Sequence, residues 1–353
     1  MTERRSRRKD RGTSLAELAE HLQLTKGTIS AVLNDSPYAK SIPQHTKDRI
    51  IAAATELNYR PNFFARTLRK KRTYSIGIVC AEIGDPYGSM VISGIESELS
   101  RNKYFFLTAI PRHDPVLLNQ YVDLLMSRGV EGIITVDTAL SHVPAVPTAA
   151  VPGHSSLAGI TNIVLDHDHA AEQALKHLVD LGHREVAVFR GQRESSDSEE
   201  RWRSISRCAR DLGIPIKAEL TYQLEGEDPS PQLGYVAMRE LLARGKHFTA
   251  LFAYNDISAI GAIRALREKG FRVPQDVSVV GFDDIREAAF HFPGITTVRQ
   301  PLRKMGETAA KHILEMIENG GKGPSRVDVE PEFVVRESTG PVSSMVRIHS
   351  VVD

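Results

Sequence analysis

From residue 74 onward the chain alternates short apolar runs with amphipathic stretches, and this alternation limits its fold more than any other feature. Residues 74–80, 104–110, 132–136, 185–189, 250–253 and 277–281 read as strands. Residues 89–101, 115–128, 199–212, 232–243 and 257–269 place their apolar side chains on one face of a helix. A parallel pair needs a crossover, and crossover helices cover the sheet, so repeated strand–helix–strand units imply parallel sheets buried on both faces. The length of this region implies two stacked lobes. Ligands of such sheets bind beyond the carboxyl ends of the strands, and two lobes form a cleft there. The candidates are therefore Asp85 and Tyr87 after the first strand, then Ser195, Asp197 and Arg201. Phe252, Asn255 and Asp283 complete the set. Carboxylate, amide, guanidinium and aromatic groups together suit a small polar molecule, sugars in particular. Asp256 reads first as the cap of the helix that follows it, and Asp283 reads either as a turn residue or as part of the cleft.

Residues 1–72 have a different texture. They hold 16 Lys/Arg against 7 Asp/Glu, a net of +9, while the rest holds 29 against 37, a net of −8. The whole chain of 353 residues, at +1, hides this split, and a basic head on an acidic body points to a polyanionic partner for the head. Apolar residues at 15, 18, 19 and 22, then Ile29, Val32 and Leu33, predict two short helices, the second capped by Thr25. A third opens at Pro43 and runs through Ile50, Ile51, Ala54 and Leu57. Three short helices in a basic segment make a helix-turn-helix headpiece. Residues 62–72 follow as a short basic amphipathic segment that reads either as a structured hinge or as a solvated linker drawn to phosphate.

Several chemistries find no support. Cys80 and Cys208 are too few for a disulfide framework or a cysteine zinc site. No apolar run reaches the roughly 18 residues of a membrane span, and the arginines at 4–8 precede an amphipathic stretch, so export is not expected. Asp166-His167-Asp168-His169 offers metal-ligand types but opens a helix, where acids and caps are expected. His183 reads as a structural turn residue. Gly153-His154-Ser155-Ser156-Leu157 lacks the closing glycine of a nucleophile elbow, and no phosphate-binding loop or dinucleotide fingerprint occurs. No catalytic residue, metal or cofactor is expected.

Residues 15–34, LAELAEHLQLTKGTISAVLN, and 56–62, ELNYRPN, resemble the headpiece of the lactose/galactose repressor (LacI/GalR) family of bacterial transcription regulators. The resemblance extends through 181–187, LGHREVA, through Tyr254-Asn255-Asp256 with Gly261, and through 273–283, VPQDVSVVGFD. Thr296, Thr297, Gln300 and Pro301, and 334–340, VVRESTG, continue it. It implies an all-α helix-turn-helix headpiece joined to a two-lobed α/β domain like that of periplasmic binding proteins. The domains it implies are a basic disordered tail at 1–12, the headpiece at 13–60, a hinge helix or linker at 61–72 and an effector-binding and dimerisation domain at 73–340. Lobe 1 would hold about 73–165 and 297–325, lobe 2 about 166–296 and 326–340, with a tail at 341–353. The function implied is that of a cytoplasmic homodimeric repressor of a pseudo-palindromic operator, controlled by a small, carbohydrate-like effector. Thr25, Lys26, Gly27, Thr28, Ser30, Ala31, Asn34, Tyr59, Asn62, Ala65, Arg66 and Leu68 would meet DNA, with Leu68 wedged into a minor-groove step. Tyr87, Arg201, Asn255 and Asp283 would line the effector pocket. The alternative from another class is a two-lobed sugar receptor with no role on DNA. Three departures from the family stand out: Gln23 where a turn glycine is usual, Ala31 where a guanine-reading arginine is usual, and a segment from Asn34 to Thr46 about three residues longer.

Overall fold

The computed structural model describes residues 13–59, 72–154, 157–226 and 230–342, which fall into two compact units divided between Thr73 and Tyr74. The expected tail at 1–12 and DNA contacts Asn62, Ala65, Arg66 and Leu68 lie outside the described residues.

In the first unit, α1 (Leu15–Leu22), α2 (Lys26–Leu33) and α3 (Gln44–Glu56) close around Leu18, Leu22, Ile29, Ile50 and Ala53. Ser14 and Glu17 form a reciprocal cap on α1, and the Thr25 hydroxyl accepts from the Thr28 amide at the start of α2. Between α1 and α2, Gln23 takes a left-handed conformation at φ 53°, the geometry that favours glycine. The longer segment after α2 forms a 3-10 turn, Pro37–Ser41, against α2. It buries Ala31, Ala39 and Ile42, and the Ser36 amide donates to the Ala31 carbonyl at 3.0 Å.

The second unit holds two six-stranded sheets. Lobe 1 contains β1 (Ser75–Cys80), α4 (Pro86–Arg101), β2 (Phe105–Ala109), α5 (Pro115–Ser127), β3 (Gly132–Val136), β4 (Thr148–Val151) and β5 (Ile160–Leu165). The chain then enters lobe 2 with α6 (His167–Asp180), β6 (Val186–Arg190), α7 (Ser198–Asp211), β7 (Thr221–Gln223) and α8 (Pro231–Ala243). That lobe continues with β8 (Ala250–Phe252), α9 (Asp256–Glu268), β9 (Ser278–Asp283), α10 (Arg286–Phe290) and β10 (Thr296–Arg299). α11 (Leu302–Glu318) and β11 (Arg326–Val329) return to lobe 1, and β12 (Glu332–Val334) goes back to lobe 2. The sheet orders are β11-β5-β4-β3-β1-β2 and β12-β10-β9-β8-β6-β7.

Two lobe boundaries differ from the expectation. Residues 297–299 belong to lobe 2, because β10 pairs with β9, and residues 326–329 belong to lobe 1, because β11 pairs in parallel with β5. Residues 326–335 look like one alternating strand, but Pro331 has no amide proton to continue a ladder, and the chain changes sheets there.

Apolar cores lie on both faces of each sheet. In lobe 1, α4 and α11 cross so closely that a Cβ at Gly94 would collide with the Arg303 carbonyl, and one at Gly306 with that of Val91. In lobe 2, α8 and α9 cross the same way at Gly234 and Gly261. Among the described residues no helix is long and apolar enough to cross a membrane.

Candidate functional site

The carboxyl ends of the two sheets face one another across a cavity of about 50 Å³ lined by Asp85, Tyr87, His113, Asp137, Gln192, Ser195, Asp197, Arg201, Tyr254, Asn255 and Asp283. Arg201, on the first turn of α7, is its centre. Its guanidinium is sandwiched, 3.7 Å from the Phe282 ring centroid and 4.4 Å from that of Tyr254. One terminal nitrogen donates to the Tyr254 carbonyl and the other to Asp197 Oδ2, both at 2.6 Å, and Asp283 lies 4.0 Å away. Asp283 is held in turn by Gln300 Nε2 at 2.7 Å and sits at φ 105°, a backbone state that L residues rarely adopt. This network belongs wholly to lobe 2.

Lobe 1 reaches it through two side chains. Asp137, just past β3, accepts from the Ser195 hydroxyl and from the amide and hydroxyl of Ser196 at 2.9–3.1 Å. His154, just past β4, donates from Nε2 to Asp197 Oδ1 at 2.7 Å. These bonds latch the lobes together. The space left between the latched lobes is well below the roughly 300 Å³ of a small-molecule pocket.

The cleft is rich in acid. Burial pushes the Asp283 carboxyl well above the usual carboxylate range despite Arg201, with Asp256 and Asp85 adding repulsion. Burial likewise raises Asp85 to about 6 and raises Asp137, against which the Ser196 bonds work. Asp197 goes the other way: burial opposes its charge, but His167 and Arg201 hold it well below the usual range. The Tyr87 hydroxyl and Arg201 Nε are buried without a hydrogen-bond partner among the described residues. Buried polar atoms left unpaired cost free energy.

Seven of the eight expected effector residues line this cavity. The exception is Phe252, which is fully buried in the core against α6 and α7. Both faces of a parallel strand are covered, so a residue inside β8 faces helices, and the cleft is reached only beyond the strand end, by Tyr254 and Asn255. Asn255, not Asp256, is the side-chain cap of α9; its Oδ1 accepts from the Ser258 amide. Asp256 is buried, accepting from the Thr297 hydroxyl and the Ile285 amide. His183 engages the Thr249 hydroxyl and the Gly340 carbonyl through its two nitrogens, a structural role. Asp137 and Tyr254, which lie just past β3 and β8, are not among the expected cleft residues, and His154 enters the sequence analysis only in the 153–157 run set aside as a nucleophile elbow.

In the headpiece, Lys26 and Gly27 are exposed at the start of α2, and the Thr28 hydroxyl lies 2.9 Å from that of Thr25. Asn34 closes α2, its amide donating to the Ser30 carbonyl and hydroxyl. Tyr59 packs against the small core.

Residues 14–62 match the family of bacterial regulatory proteins named for lacI, and residues 175–339 match the periplasmic binding protein-like domain. The HTH-type transcriptional repressor PurR of Haemophilus influenzae is 29% identical over 337 residues, 92% of this chain and 98% of that protein. The lac repressor dimer bound to operator and the anti-inducer ONPF superimposes with a TM-score of 0.83 at 25% identity, covering 94% of this chain and all of that one. The transcriptional regulator CelR in complex with cellobiose gives a TM-score of 0.68 at 26% identity, covering 92% and 99%. This chain belongs to the lacI family.

As a lacI family member it is a DNA-binding transcriptional repressor with an effector-binding domain. Within that frame Ala31 requires a correction. It was expected to face DNA, but the 3-10 turn after α2 covers it.

Proposed function

We propose that a neutral, hydroxyl-rich molecule of carbohydrate type, bound between the lobes, sets this repressor's affinity for a pseudo-palindromic operator held by a homodimer. The observation that carries the reading is the pair of buried, unpartnered polar atoms at the cavity, Tyr87 Oη and Arg201 Nε. Acids and amides around them can accept from ligand hydroxyls, while aromatic rings offer apolar faces. The lining offers little to an anion. Glu82, Asp85, Asp137, Asp197 and Asp283 line the cavity against one arginine, whose charge Asp197 already meets. The cellobiose named for CelR is consistent with this class.

On DNA, Thr25, Lys26, Gly27, Thr28 and Ser30 would enter the major groove at the start of α2, and Leu68 would wedge a minor-groove step with Ala65 allowing close approach. The net +9 of the first 72 residues calls for strongly salt-dependent affinity.

A thermal-shift screen of neutral sugars, sugar acids and nucleobases on the full chain, followed by gel shifts on its own upstream DNA at several salt concentrations, tests both halves. A neutral sugar is expected to raise the melting temperature by several degrees and to change operator affinity at least tenfold. Stabilisation by nucleobases or anions alone would overturn the carbohydrate class. Equal affinity for operator and bulk DNA would overturn the operator reading. Replacing Leu68 by Ala should weaken specific binding more than nonspecific binding.

A further inference from the structure

Beside the effector cavity, two imidazoles converge on one carboxylate oxygen. His154 Nε2 lies 2.7 Å and His167 Nε2 2.6 Å from Asp197 Oδ1, and the three atoms all fall within 4.8 Å of one another. They come from three separate places: the loop after β4 in lobe 1, the first residue of α6 where the chain crosses into lobe 2, and the residue before α7. We propose that His154, His167 and Asp197 bind a divalent transition-metal ion of the zinc type, which ties the two lobes together at their crossing.

Three observations bear on this. The first is a contrast between two buried histidines. His183 satisfies both ring nitrogens, as a structural histidine does, whereas His167 engages only Nε2 and leaves Nδ1 buried without a partner among the described residues. Nδ1 is thus available to carry the ring proton when Nε2 gives up its own.

The second is the carboxylate. Arg201 holds Asp197 through Oδ2, which fixes its orientation and leaves Oδ1 to the imidazoles. Two imidazole nitrogens and a carboxylate oxygen make a ligand set that zinc-type ions favour over magnesium or calcium. Tetrahedral bonds of about 2.0–2.2 Å would require the N···O contacts to widen by roughly 0.7–0.8 Å, with the bridging imidazole proton moved to Nδ1 or released.

The third is the surrounding charge. Asp85, Asp137 and Asp283 stand around the cavity against one arginine, and although burial holds them toward the neutral form, a dication beside them favours their ionised form. The fourth coordination position would open toward the cavity, since Asp197 lines it. The remaining members of the run at 166–169 are committed elsewhere. Asp166 caps α6, Asp168 pairs with Ser204 and Arg207, and His169 faces Glu330 and Gln173.

The test uses tag-free full-length protein freed of metal by a chelator. Cobalt(II) titration should give a visible absorption band saturating at one equivalent, and zinc should displace it while raising the melting temperature by several degrees. His154→Ala, a partly exposed position, should weaken binding at least tenfold and remove both signals; Asp197→Asn should do the same, and His169→Ala should leave both intact. Absence of a saturable one-equivalent band would overturn the proposal. So would a band unchanged in both His154→Ala and Asp197→Asn, or stabilisation by magnesium equal to that by zinc. These readouts need no effector or operator, so their failure is distinct from failure of the carbohydrate reading.

Discussion

The two lobes share a strand order yet differ in what they do at the cleft. In lobe 2 the charged side chains hold one another: Arg201 with Asp197, Asp283 with Gln300, and the guanidinium between two rings. In lobe 1 the corresponding strand ends present Asp137 and His154, and their bonds to 195–197 all cross to lobe 2. One topology thus supplies a rigid recognition surface on one side and a latch on the other. Each scaffold also carries a glycine-lined helix crossing, and although the last strand is parallel in lobe 1 and antiparallel in lobe 2, the difference at the cleft lies in the residues just past the strands.

The largest expected effect comes from breaking the rigid side. Arg201→Ala leaves Asp197 and Asp283 buried without their cation, which should cost about 3–5 kcal/mol. Urea denaturation measures it, and a loss below about 1 kcal/mol would show that lobe 2 is not held by this network. Next is Asp256, whose carboxyl burial raises to about 7, with Thr297 and Ile285 opposing the rise. An acid raised in the fold binds its proton more tightly there than in the unfolded chain. Stability is then fullest below about pH 4 and falls as pH rises toward 7. Asp256→Asn can keep an acceptor for the Ile285 amide and donate to the Thr297 oxygen. It should match the wild type at pH 4 and exceed it by on the order of 2–4 kcal/mol at pH 8, as melting curves across pH would show.

Much of this was legible in advance, and the reasons are local. Strand-end logic found Asp85, Arg201 and Asp283 because long apolar strands announce where they stop. It passed over Asp137, although the same rule applies after β3. β4 and β5 are consecutive strands with no helix between them, so the alternation does not mark them, and His154 stayed hidden with them. The pairing of His154 with Asp197 joins residues 43 apart across two lobes, which no periodicity encodes. Phe252 failed for the opposite reason: the strand was right, but a residue within a doubly covered strand cannot reach the cleft. In the headpiece, the turn residue Gln23 and the long segment were both visible, whereas the burial of Ala31 depends on how Pro37–Ser41 folds back on α2.

If the scaffolds are equivalent, they should tolerate equivalent insults equally. Gly94→Ala in lobe 1 and Gly261→Ala in lobe 2 each drive a methyl group into a facing backbone carbonyl, and each should cost about 1–3 kcal/mol. Chemical denaturation of the two variants that differed by more than about 2 kcal/mol would break the structural half of the comparison.

The smallest effect on stability should come from the latch. Asp137→Asn is nearly isosteric and removes a carboxyl that burial already disfavours in its charged form. All three donors of Ser195 and Ser196 meet the same Oδ1, so an asparagine oxygen in that place can still accept from them, though less strongly than a carboxylate. Global stability should therefore change by no more than about 1 kcal/mol, the size of one ordinary hydrogen bond. Lobe closure should respond more, because every Asp137 bond to 195 and 196 exists only when the lobes meet. The expected readout is a shift of several-fold in the effector concentration that half-releases operator DNA, with an unchanged urea midpoint. A ligand can shift closure only by its differential affinity for the closed and open forms. A variant that moved the urea midpoint as far as Arg201→Ala, with no change in effector response, would make Asp137 part of the rigid surface and end the division of labour between the lobes.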